Sequence, residues 1–222
     1  TALLCDGRLV EIFIDRAGGA SLVGNIYLGR IGAVKNGLNA AFVSFGESKD
    51  GFLSLLEARP AFESGGRIGD YAREGDAVVV QVQRDPVEDK GAKLTTHIHL
   101  AGAFLIFCPL QAGVSVSRRN VDPAARDRLT ELATEIAFDG GGFIVRTQAA
   151  FADDAAIRNE ADHLAARWRQ ITEQVETSAV PARLFAEADA ACRALRNFAP
   201  AAPGAIVIDG AGTLNRVRGF CE

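Results

Sequence analysis

The chain has 222 residues, 48% of them hydrophobic, and its 24 Lys and Arg against 28 Asp and Glu leave a formal net charge of −4. That length and apolar share suit one or two modules with a true core, while the acidic balance argues against indiscriminate nucleic-acid binding, which needs a basic surplus. The four cysteines, Cys5, Cys108, Cys192 and Cys221, are too far apart in sequence for the close pairs of zinc or redox motifs, and are expected as buried, reduced thiols of a cytoplasmic protein.

No secretory signal precedes Thr1, no apolar run approaches the length of a membrane span, and methionine is absent, so the chain is expected to begin inside a longer protein. The opening "ALLCDGRLVEIFIDR" reads as two strands joined at Asp6-Gly7, a hairpin turn pair. "AGGASLVG" then reads as a connector.

Between Gly24 and Leu100 come "NIYLGRIGAV", "AAFVSF", "DGFLSL", "DAVVVQVQRD" and "KLTTHIHLA", each short, β-branched or aromatic and bounded by turn formers. Five such segments at this spacing predict a small closed barrel of the OB type.

A mixed α/β unit follows. "AFLIFCPL", "GVSVSRR" and "GGFIVRT" read as strands, and Asp122-Pro123 as the N-cap and first turn of a helix carrying Leu129, Leu132 and Ile136. Ile157, Ala161, Leu164, Trp168, Ile171 and Val175 recur at spacings of four and three, which predicts one buried stripe of a long helix, with Arg158, Glu160, Asp162 and Glu173 elsewhere on it. After Pro181, "AEADAACRALRNF" reads as a helix, "AIVID" as a buried strand and "GTLNRVRGF" as a last short helix.

Several residues are candidates for chemistry. OB-type barrels bind single strands by stacking bases on exposed rings, each base contributing about 1–3 kcal/mol, with cations tracking the backbone. Phe42 and Phe52 fit that platform if they lie mid-strand on the outer face, and ordinary core if they do not; Lys90 and Lys93 would contact phosphates or simply be solvated. Arg118 and Arg119 in "SVSRRN", and Arg146-Thr147 in "FIVRTQ", offer guanidinium forks and a hydroxyl suited to a terminal phosphate. Asp6 and Asp209 could share a divalent ion, although both also sit in standard turn pairs. His97 and His99 alternate on a predicted strand, and neither they nor His163 complete a metal site in sequence.

Taken in order, "GNIYLGRIGAVKNGLNAAFVSFGESKDGFL", "KGAKLTTHIHLAGAFLIFCP", "VSRRN" and "GFIVRTQ" resemble the N-terminal half of the bacterial ribonuclease E/G endoribonucleases, over essentially the whole chain. The resemblance implies a mixed α/β architecture with the barrel inserted in a discontinuous ribonuclease-H-like subdomain. Its expected pieces are a first ribonuclease-H-like piece over 1–23, an S-one-type RNA-binding barrel over 24–100, a 5′-end sensor over 101–180, and an incomplete second ribonuclease-H-like piece over 181–222.

It further implies that Phe42 and Phe52, with Lys90 and Lys93 beside them, bind single-stranded RNA, and that Gly102, Ile106, Arg146 and Thr147 line a pocket for a 5′-monophosphate, with Arg118 and Arg119 as further basic residues. Gly102 would let a backbone donor approach closely, and Ile106 would wall the first base. The family's hydrolytic carboxylates, which hold Mg²⁺, lie in a later DNase-I-like subdomain, so no catalytic or metal-binding residue is carried over to this chain. The family's zinc-linking cysteine pair is also absent, leaving any homo-oligomer to other parts of the protein. Two other readings stand beside this one: a minimal metal-dependent nuclease using Asp6 and Asp209, and a non-catalytic module whose barrel binds protein.

Overall fold

The computed structural model describes residues 1–14, 21–60, 63–116, 122–137, 141–198 and 204–221. Strands β1 (Ala2–Cys5) and β2 (Arg8–Ile12) form an antiparallel ribbon. Asp6 and Gly7 both carry positive φ, 49° and 74°, the backbone that a two-residue hairpin turn of matching twist requires.

The barrel is built from β3 (Ile26–Lys35), β4 (Ala40–Ser44), β5 (Gly51–Ser54), β6 (Ala77–Arg84) and β7 (Lys93–Thr95). β3 pairs with both β4 and β6, β5 runs parallel to β7, and β7 pairs with β6, so the five strands close on themselves as in an OB-type barrel. Tyr27, Ile31, Ala41, Val43, Phe45, Leu53, Val80, Val82 and Leu94 fill the interior. The short helices α1 (Leu55–Ala58) and α2 (Ile68–Tyr71) lie between β5 and β6.

A second sheet follows, from β8 (Leu100–Ala101), β9 (Leu105–Cys108), β10 (Gly113–Val116) and β11 (Gly142–Val145), in the order β10-β11-β9-β8. Helix α3 (Pro123–Glu135) starts where expected, the Asp122 carboxylate accepting from the N–H groups of Ala124 and Ala125. Helix α4 (Asp154–Thr177) buries Ile157, Ala161, Leu164 and Ile171, with Trp168 and Val175 partly covered. Leu105, Phe107, Phe143 and Val145 meet these helices in a core that also takes in Ile26 and Leu28 of β3, so barrel and second sheet share apolar contacts.

Strand β12 (Ala182–Phe185) pairs with the first half of β3, and helices α5 (Ala190–Phe198) and α6 (Ala211–Cys221) complete the described chain. Phe13 packs edge-on against Phe198, ring centroids 6.0 Å apart, which ties the segment after β2 to α5.

Four local expectations differ from the structure. "KLTTHIHLA" is not one strand: β7 ends at Thr95, the chain bends, and β8 belongs to the other sheet, so His97 and His99 do not share a strand face. "AIVID" is not buried; Ile206 and Val207 are 54% and 93% exposed, and among the described residues no strand pairs with it. β12 was not anticipated, because four residues beside a proline carry little periodic signal. Cys108 and Cys192 are buried thiols, but Cys5 is exposed on the ribbon.

Candidate nucleic-acid interface

Along β4, Ala41 and Val43 point into the barrel, so the alternation of a strand turns Phe42 outward; Leu53 does the same for Phe52 on β5. The two residues are direct cross-strand partners, and their half-buried rings meet edge to face at 5.9 Å and 73°. The row continues on both sides, with Ala33 opposite Phe42 and Lys93 opposite Phe52. An apolar strip therefore runs across the outer wall and ends at a cation.

That cation is engaged. Lys93 Nζ lies 2.7 Å from Glu57 Oε1, and Gln83 donates to the other carboxylate oxygen at 2.7 Å. Burial alone would raise the Glu57 carboxyl, but hydrogen bonds from Lys93, Thr95 and Gln83 hold it below its ordinary value. Lys90 is exposed and closes a turn over Glu88 and Asp89 through reciprocal backbone bonds with Val87. The next residue must be glycine, since a Cβ on Gly91 would collide with the Asp50 carbonyl; that close pass brings Lys90 alongside the start of β5.

On the second sheet, Ile106 of β9 faces Ile144 of β11 on the side opposite the helix-packed Phe107 and Phe143. Two residues past Ile144 the still-extended backbone presents Arg146 on the same side. Its Nη1 donates to the Gly102 carbonyl at 2.5 Å and its Nη2 to Asn197 Oδ1 at 2.8 Å. These bonds engage two of the five guanidinium donors. Burial and the neighbouring Arg196 guanidinium push Arg146 down from the usual arginine range, and Glu160 opposes them. Thr147 follows at the start of a short 3₁₀ turn, half-buried.

Gly102 contributes differently from expectation. Its N–H is committed to the Leu105 carbonyl at 2.7 Å, and it is its carbonyl that meets Arg146. Its missing Cβ makes room for the Glu160 carboxylate, since a Cβ there would lie 2.5 and 2.7 Å from the two oxygens. Glu160 accepts from the N–H groups of Ala103 at 2.5 Å and of Phe104 and Leu105 at 2.8 Å each. Beside this loop opens a cavity of about 1170 Å³, lined by Gly102, Phe104, Glu160, Arg167, Arg196 and Phe220 among others.

Sequence reasoning passed over Glu160, Asn197 and the largely buried Arg196–Glu187 ion pair at 2.9 Å. Arg118 and Arg119 lie outside the described residues. Asp6 sits in the hairpin turn and Asp209 in the exposed segment before α6. Among the described residues no group of three or more His, Cys, Asp or Glu is placed to hold a metal ion. Likewise, no described helix is long and apolar enough to cross a membrane.

Residues 99–222 match the family model described as the ribonuclease E/G family. Ribonuclease G of Escherichia coli (strain K12) is 35% identical over 218 residues, covering 94% of this chain and 45% of that protein. Ribonuclease G of Haemophilus influenzae is 32% identical over 231 residues, and ribonuclease E of Nostoc sp. is 31% identical over 224 residues. The whole of this chain aligns with both, against 47% and 32% of their lengths, so it spans less than half of these curated relatives. With the family match reaching from β8 to the last residue and the relatives extending it over the barrel, the chain belongs to the ribonuclease E/G family.

Proposed function

We propose that this chain is the RNA-binding, 5′-monophosphate-sensing portion of a single-strand-specific endoribonuclease of RNA processing and decay. The observation that carries the reading is Arg146: a half-buried guanidinium oriented by Gly102 and Asn197, with donors to spare, on the sheet face that also holds Ile106. A terminal phosphate takes up such donors in a forked geometry, Thr147 adds a hydroxyl, and Ile106 offers an apolar wall to the first base. The Phe42 and Phe52 strip, with Lys90 at its margin, suits stacking of unpaired bases further along the strand. Cleavage belongs, on this reading, to carboxylates and Mg²⁺ elsewhere in the full-length protein, which acts in the cytoplasm.

The test is fluorescence anisotropy with an unstructured RNA decamer labelled at its 3′ end and carrying a 5′-monophosphate, triphosphate or hydroxyl. The monophosphate form is expected to bind tightest, and Arg146→Ala to abolish that preference. Equal affinity for all three forms, unchanged in Arg146→Ala, overturns the sensor assignment.

A further inference from the structure

We propose that Glu160 is the positioning residue of the phosphate site, acting through the Gly102–Leu105 loop to aim Arg146; the inference rests on the sensor reading above. The loop is a tight turn between β8 and β9, and its own internal bond is Gly102 N–H to the Leu105 carbonyl. What fixes it in space is a carboxylate from another element. Ala103, Phe104 and Leu105 direct consecutive backbone N–H groups at Glu160, 55 to 57 residues away in sequence.

Successive N–H groups of this kind form a concave cradle for an anion. Bonds to an ionised acceptor are also roughly twice as strong as neutral ones. The occupant of this cradle is internal. Those amides are taken up by Glu160, and the loop offers Arg146 its Gly102 carbonyl. Gly102 and Glu160 form a steric pair, since any side chain at 102 would displace the carboxylate.

Helix α4 does not depend on Glu160 for its docking, which runs through Ile157, Ala161, Leu164 and Ile171. Changing Glu160 therefore moves the loop before it moves the helix. In Glu160→Gln the side chain keeps one acceptor but turns an NH₂ toward amides that need acceptors, so part of the cradle is left unsatisfied. The Gly102 carbonyl then loses its fixed position, and Arg146 its aim.

The experiment measures the ratio of dissociation constants for 5′-hydroxyl over 5′-monophosphate RNA in the wild-type chain, Glu160→Gln, Gly102→Ala and Arg146→Ala, each checked by thermal melting. Glu160→Gln is expected to lower the ratio by about five- to tenfold, leaving 5′-hydroxyl affinity within about twofold, since stacking on the barrel wall and apolar contact with Ile106 do not need the aimed guanidinium. Gly102→Ala keeps the charge and displaces it, and is expected to lower the ratio in the same way, which keeps the inference testable if Glu160→Gln fails to fold. A full ratio in both variants while Arg146→Ala loses it overturns the positioning role and leaves the sensor reading standing. A higher ratio in Glu160→Gln would make Glu160 a competitor for the phosphate and also overturns it. A wild-type ratio of one removes the sensor reading and this inference with it.

Discussion

Asn25 and Glu187 are 162 residues apart in sequence, yet the Asn25 carboxamide oxygen accepts the Glu187 N–H at 2.8 Å. The Glu187 carboxylate then pairs with Arg196, whose neighbour Asn197 holds Arg146. The residue before β3 is thus joined to the Arg146 site by part-buried polar contacts and one step along α5. Asn25 is 6% exposed, and Asn25→Ala leaves the half-buried Glu187 N–H without its acceptor. The expected loss is about 1–3 kcal/mol of stability, read as a lower urea midpoint with an unchanged slope.

Cys108 gives a pH signature. Burial pushes its thiol up to about 11. An unfolded thiol titrates near roughly 8.5, so between there and the folded value the unfolded chain releases a proton that the native chain retains. Native stability is therefore unaffected by this group below that window and falls as pH rises through it, by at most about 3 kcal/mol. Urea unfolding at stepped pH is expected to show the decline, flattened in Cys108→Ala. Iodoacetamide at pH 8, followed by peptide mapping, is expected to modify exposed Cys5 well ahead of Cys108.

How far the sequence reached can be judged at particular residues. The five barrel strands and α4 were legible because their burial repeats with the period of the element, as at Ala41, Val43 and Leu53 or at Ile157, Ala161 and Leu164. Asp122 announced α3 through local chemistry alone. Arg146 was nominated by composition at a strand end and by the family likeness, but its anchor Asn197 lies 51 residues on and has no local signal. Glu160 shares the polar part of α4 with Arg158 and Asp162, and nothing in the helical period separates a carboxylate that fills a backbone cradle from one in solvent. "AIVID" failed for the complementary reason: strand propensity is a statement about packing and pairing, and the described residues supply no pairing partner for it.

Lys90 and Lys93 are expected to separate. Lys93 is bound to Glu57, whose carboxyl is held low, so the pair contributes stability above the unfolded carboxyl value and loses it as pH falls through the folded one. Lys93→Ala should cost about 1 kcal/mol at neutral pH and weaken the loss of stability as pH falls through and below the ordinary carboxylate range. Lys90→Ala should leave stability alone and lower the slope of log affinity against log salt by about 0.7, the signature of one lost phosphate contact on a single strand. A salt slope altered only by Lys93→Ala reverses the assignment.

The Phe42 and Phe52 rings give the sharpest separation between the two binding elements. They touch each other edge to face outside the barrel core, so removing either leaves the other without its neighbour, and the two losses are not expected to add. Each alanine variant should weaken RNA binding by about 1–3 kcal/mol if its ring stacks a base. The loss should be the same for 5′-hydroxyl and 5′-monophosphate RNA, because the proposed phosphate site is at Arg146 on the other sheet. Phe42→Leu and Phe52→Leu retain apolar area without a flat face, and are expected to bind nearly as poorly as the alanine variants while melting closer to wild type. Alanine variants that melt lower yet bind RNA unchanged would make the pair a packing contact between strands and remove the barrel wall from the binding surface.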